Sequence, residues 1–218
     1  MSQNDSFIEE VSEEVRRDRL FLLLKRYGWI GVLLVLLIVG GAAWREYSRA
    51  QDRAEAEALG DSILAALETE APEARVEALG GVEAGSAGGR ALLGLLTAAE
   101  QASADQPEAA AETLSAIAAD GEVPQIYRDI AGFRMLLLQS GTTEANERRT
   151  GFEALARAGS PLRLLAEEQI ALIEVETGDT EAAIERFQAI LADAEVTAGL
   201  RQRVSQVIVA LGGALDAA

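Results

Sequence analysis

The side chains that most often carry chemistry are nearly absent from this chain. Its 218 residues include no cysteine and no histidine, and Lys25 is its one lysine. Thiolate nucleophiles, disulfides, Ser-His and Cys-His pairs and the usual zinc ligands are therefore excluded. With Lys25 beside a long apolar run, a Schiff base or a Ser-Lys pair in the body of the chain is excluded too. What remains is carboxylate chemistry, which needs two acids held in one cleft. Thirty-six Asp and Glu are present, scattered at helical-surface spacing without a flanking motif. A solvated acidic face is the simpler reading. The expectation is no enzyme, no cofactor and no small-molecule substrate. An acid–base hydrolase stays as the contrary hypothesis.

The formal net charge is −17. Up to Arg26 there are five basic and six acidic residues, so nearly all of the excess lies beyond. Such a surface repels nucleic acid and anionic lipid headgroups and favours cationic or polar–apolar protein partners.

The elements that must carry these residues begin with RYGWIGVLLVLLIVGGAAWREY, Arg26 to Tyr47. Tyr27 to Trp44 contains no charge, and as a helix it covers roughly 27 Å, close to the thickness of a bilayer's hydrocarbon core. Tyr27, Trp29, Trp44 and Tyr47 mark its ends, where rings with an apolar body and a polar tip favour the headgroup level. Arg26 and Arg45 can extend outward to close the gap. Gly41-Ala42-Ala43 resembles a signal cleavage site. Against cleavage, the acidic segment before the run is 26 residues long, and the run exceeds an ordinary signal core. A transmembrane helix over 27–44 is expected. Five cations on the N-terminal side face Arg45, Arg49 and Arg53 on the other, which favours a cytoplasmic N-terminus.

Before the span, residues 1–26 read as a cytoplasmic tail. Ser6 and Glu9 form a capping box, and Phe7, Val11, Val15 and Leu22 share one helical face. After it, 45–72 reads as a stalk helix free of proline until Pro72. Residues 73–218 then break at Gly, Pro and Asp clusters into short segments rich in Ala, Leu and Glu. Val204, Val207, Ile208 and Leu211 fall at helical spacing, so even the best strand candidate is helical. The fold class is all-α.

PEAAAETLSAI from Pro107 aligns without gaps on TEAAIERFQAI from Thr180, an offset of 73. Ile170-Ala171, Gly178-Asp179, Ala183 and Phe187 then resemble the tetratricopeptide repeat: a large–small pair, a turn, an Ala and an aromatic. Ala171 and Ala183 let two helices approach, while Ile170 and Phe187 fill the gaps between pairs. Glu167 and Glu174 depart from that pattern, which favours Trp and Tyr there. Glu195 stands near its usual closing Pro. The implied architecture is a degenerate tetratricopeptide-like helix-pair solenoid of three or four repeats.

In such an array the first helix of each pair lines a concave face. Glu168, Leu172 and Val175 recur at i, i+4, i+7, and with Tyr127 and Arg134 they are the candidate peptide groove; the simpler alternative is ordinary core and solvent-facing positions.

The whole layout resembles the YfgM-like family, through FIEEVSEEVRRDRLFLLLKRYGW from Phe7 and LRLLAEEQIALIEVETGDTEAAIERFQAIL from Leu162. The resemblance implies an ancillary subunit of the SecYEG translocon, anchored in the bacterial inner membrane. Its repeat domain would be periplasmic, a scaffold or chaperone-network element contacting a PpiD-like periplasmic chaperone. The alternative is a cytoplasm-facing, membrane-tethered adaptor or stress-regulator partner.

Overall fold

The structure, a computed structural model, describes residues 3–214; the side chains of residues 3–24, 28 and 32 lie outside the described residues. So does the apolar face expected of Phe7, Val11, Val15 and Leu22. Two compact units divide between Glu57 and Ala58. All regular elements among the described residues are helical, in agreement with the sequence patterning.

The first helix, α1, spans Gln3–Leu67. It begins ahead of Ser6, which is therefore an internal helical residue and not an N-cap. No Pro or Gly lies between Gln3 and Ser6 to delay the start. Between Trp29 and Leu67 the helix is long and apolar enough to cross a membrane, and none of its apolar window is buried. Leu33 to Val39 are all exposed, as a lipid-facing surface would be.

The second unit takes in the last turns of α1, where Ile63 and Ala66 are buried with Leu79 in one small core. Its helices are α2 (Pro72–Gly80), α3 (Ala87–Ser103), α4 (Pro107–Ala119), α5 (Gln125–Leu138), α6 (Ala145–Leu155), α7 (Arg163–Glu176), α8 (Thr180–Ala192) and α9 (Ala198–Ala210). Local chemistry sets their starts. Pro72 and Pro107 occupy first turns, where the missing N–H is no loss. Ser86, Asp179 and Thr197 accept N-capping hydrogen bonds from the backbone of Gly89, Ala182 and Leu200. From α2 onward each helix packs on its chain neighbours, and α3 also touches α5.

The offset of 73 extends well beyond the two segments that first suggested it. Helices α2, α4 and α5 begin at Pro72, Pro107 and Gln125, and α6, α8 and α9 begin 73 residues later in each case. Equivalent positions are buried in both copies: Leu79 and Phe152, Ala98 and Ala171, Ala110 and Ala183, Leu114 and Phe187, Ile117 and Ile190. The turns repeat as well. The N–H of Gln106 donates to the carbonyl of Gln101 at 2.9 Å, and that of Asp179 to Glu174 at 2.8 Å. Between them stand Asp105 and Gly178, both left-handed, with φ of 56° and 86°. This is the turn in which a residue of positive φ closes the last carbonyls of a helix. Further on, Asp120 and Asp193 each accept from the backbone two residues ahead, at 2.9 and 2.8 Å. The unit is thus two copies of a four-helix block.

Candidate functional site

The groove between α7 and α9 is built from side chains one helical turn apart. Leu165, Glu168, Gln169 and Leu172 come from α7; Arg203, Gln206, Val207 and Ala210 come from α9; Phe133 of α5 lies at one side. The groove holds about 660 Å³ and is open to solvent. Leu172 is 39% exposed, high for a leucine.

Its floor carries an ion pair. Arg203 Nε donates to Glu168 Oε1 at 3.0 Å and Nη2 to Oε2 at 2.8 Å, a two-pronged fork. Glu168 is buried and Arg203 is half exposed. The Glu168 carboxylate raises the guanidinium pKa above its ordinary value, chiefly through that hydrogen bond. In the first block the equivalent positions are Leu95 and Ile130, both packed in a core with Ala98 and Leu114. The second block thus places a neutralised polar pair where the first has two apolar side chains. Gln169 and Gln206 flank the pair on facing helices. Among the described residues their carboxamides make no hydrogen bond, so each offers a donor and an acceptor to whatever enters.

The five residues expected to form one groove are distributed among four places. Glu168 and Leu172 line the α7–α9 groove. Val175 packs against the core shared by α7, α8 and α9, and Tyr127 against the core of α3, α4 and α5. Arg134 is exposed on a separate surface, described below. Ala171, Ala183 and Phe187 are buried together, and Ile170 lies in the adjoining core with Leu136, Phe152 and Ile173. Tyr27, Trp29, Trp44 and Tyr47 are all exposed on α1. Arg26 stands 5.9 Å over the Tyr27 ring, and Trp44 and Tyr47 have centroids 6.5 Å apart.

The buried carboxylates among the described residues are committed to arginines. Glu174 accepts from Arg186 at 2.8 and 3.1 Å and from Arg149 at 3.3 Å. Asp129 accepts from Arg157 at 2.8 Å and from Gln125 at 2.7 Å. A carboxylate held this way is a poor general base, because its lone pairs are already occupied by donors. No group of His, Cys, Asp and Glu among the described residues could hold a metal ion. Sequence reasoning missed Phe133, Arg203, Gln206 and Val207. Carrying the 73-residue register past α8 would have offered Val207, as the equivalent of Arg134, whereas the equivalents of Arg203 and Gln206 are Ile130 and Phe133, which nothing in the sequence marks.

No known protein-family model, curated protein or solved structure matches this chain.

Proposed function

We propose that this chain is a single-pass inner-membrane protein whose helical blocks bind polypeptides without turning them over. On this reading it is a scaffold or chaperone-network subunit beside the SecYEG translocon, with residues 58–218 in the periplasm and a PpiD-like chaperone as partner. The single observation that carries the binding function is the open α7–α9 groove: apolar walls, two uncommitted carboxamides and a charge pair already neutralised. Such a surface favours extended, mixed apolar–polar segments through side-chain burial and backbone hydrogen bonds. The tetratricopeptide-like pattern around Ile170 and Phe187 and the likeness to the YfgM-like family support the same reading. The apolar window of α1 supports the anchor.

Two experiments test it. In the first, a photoreactive benzoylphenylalanine replaces Leu172 in the full chain in its native membrane. Adducts with translocating polypeptides or translocon subunits are expected, lost when the same group sits at Ser115, an exposed position on α4 away from the groove. Equal adducts from both positions would overturn the groove assignment. In the second, Ser115→Cys uses the absence of native thiols. A membrane-impermeant maleimide should label intact spheroplasts; protection until lysis would place residues 58–218 in the cytoplasm and favour the adaptor alternative.

A further inference from the structure

The first block has its own version of the groove. Ala98, Ala99 and Ala102 of α3, Leu114 of α4, and Arg134 and Leu137 of α5 line a cavity of about 210 Å³. Four of these positions, 99, 114, 134 and 137, are the 73-residue equivalents of Leu172, Phe187, Val207 and Ala210, which line the α7–α9 groove. The two cavities are therefore the same place in the repeat with different chemistry. Where the second block has Leu172 and Val175, the first has Ala99 and Ala102, which leaves room for an apolar side chain from outside. Where the second has Val207, the first has Arg134.

Arg134 stands apart among the arginines of its unit. Arg75, Arg90, Arg148, Arg149, Arg157, Arg163, Arg186 and Arg203 all pair with carboxylates. Arg128 and Arg201 donate to backbone carbonyls. Among the described residues Arg134 has neither kind of partner. Residues 130, 131, 137 and 138, one turn away on either side, are Ile, Ala, Leu and Leu. An uncommitted guanidinium at the edge of an otherwise apolar cavity is complementary to an apolar side chain next to a carboxylate, against the chain's overall negative field.

We propose that the α3–α5 groove is a second docking site, which takes a protein segment presenting an apolar side chain next to a carboxylate. The side chain fills the space over Ala99 and Ala102, and the carboxylate takes the Arg134 fork. The proposal shares with the α7–α9 reading the idea that the ligand is a polypeptide, but its charge selectivity rests on Arg134 alone.

The test uses the full chain in phosphatidylcholine nanodiscs and three fluorescent peptides, identical Gly/Ser dodecamers with a central Leu-Leu-Glu-Glu, Leu-Leu-Gln-Gln or Leu-Leu-Lys-Lys. The overall negative field ranks them Lys, Gln, Glu in order of affinity. A built Arg134 site reverses that order, with the Glu peptide binding roughly fivefold to tenfold tighter than the Gln peptide, as expected for one charge-assisted contact. Arg134→Glu should abolish the preference and favour the Lys peptide, whereas Leu172→Glu should leave the Glu-over-Gln ratio intact. Equal affinities, the Lys-first order in the wild type, or no binding of the Glu peptide would overturn the proposal. So would loss of the ratio in Leu172→Glu, which would move the acidic contact to the other groove. Self-association that sedimentation shows to depend on Arg134 would make a second copy the occupant and refute an external partner. Loss of neutral-peptide binding in Leu172→Glu with the Glu preference retained would separate failure of one groove from failure of the other.

Discussion

Replacing Arg186 by Met should be among the most damaging changes available to the second block. Glu174 is 2% exposed. Three of its four hydrogen bonds come from Arg186, two from Nε at 3.1 Å and one from Nη2 at 2.8 Å. The fourth, from Arg149, is longer at 3.3 Å, and the Nε of Arg149 is itself buried without a partner. Met fills much of the volume of the Arg stem but leaves a buried carboxylate with one weak donor. Breaking a buried pair from one side costs about 3–5 kcal/mol. Because the Arg186 side chain is 32% exposed, the low end applies, about 3 kcal/mol. In a domain of this size that lowers the midpoint of thermal unfolding by about 6–12 °C.

The reverse change, Glu174→Gln, should cost far less, about 1 kcal/mol, because Arg186 can turn to Glu167 or to water. The first block already contains the neutral alternative. Thr113 and Gln101, the equivalents of Arg186 and Glu174, are joined by a hydrogen bond of 2.9 Å. The double variant Glu174→Gln/Arg186→Thr should therefore recover at least half of what Arg186→Met loses. The assay is urea unfolding of the full chain followed by circular dichroism at 222 nm, since both tryptophans lie on α1 and report nothing here. A loss below about 1 kcal/mol for Arg186→Met, against the range expected for a broken buried pair, would refute the reasoning. Equal losses for Arg186→Met and Glu174→Gln would refute it too.

The repeated turn predicts opposite outcomes at equivalent positions. Gly178→Ala should destabilise by about 1 kcal/mol, and Asp105→Gly should stabilise by up to about that amount, both read as shifts in urea midpoint. Ala183 is fully buried where α7 and α8 meet, so Ala183→Leu should cost about 1–3 kcal/mol through forced displacement of its neighbours. The Arg163 guanidinium, and then the backbone N–H of Glu195, hold the Asp193 carboxyl below its ordinary pKa. A depressed carboxyl stabilises the fold above its unfolded pKa and ceases to do so as pH falls through the folded one. Asp193→Asn should therefore lower the thermal midpoint modestly near neutrality, where the ionised carboxylate contributes, and flatten its fall below about pH 4, where wild type and variant converge.

The sequence by itself determined the class of elements and much of the chemistry. An uncharged run ended by Tyr27, Trp29, Trp44 and Tyr47 leaves few options in water, and alanine-rich segments broken at Pro72, Pro107 and Gly178 have few conformations other than short helices. Absent residue types are likewise read without a fold: a chain with no histidine or cysteine cannot perform their chemistry anywhere. The small–large pattern of Ala171, Ala183 and Phe187 was legible because close helix approach leaves its mark on residue size. The grooves were not legible in that way. Glu168, Leu172 and Val175 have equal claims to a helical face by periodicity. Only the placement of α9 decides that Leu172 stays open, that Glu168 meets Arg203 and that Val175 turns to the core. Partner identity across 35 residues is a property of the packed helices, and period-3.6 spacing carries no information about the neighbouring helix. The same holds for Arg134: its apolar neighbours Ile130, Ala131, Leu137 and Leu138 are legible, but not whether a carboxylate reaches it. Its lack of a partner emerges only when the arginines around it are seen to be spent.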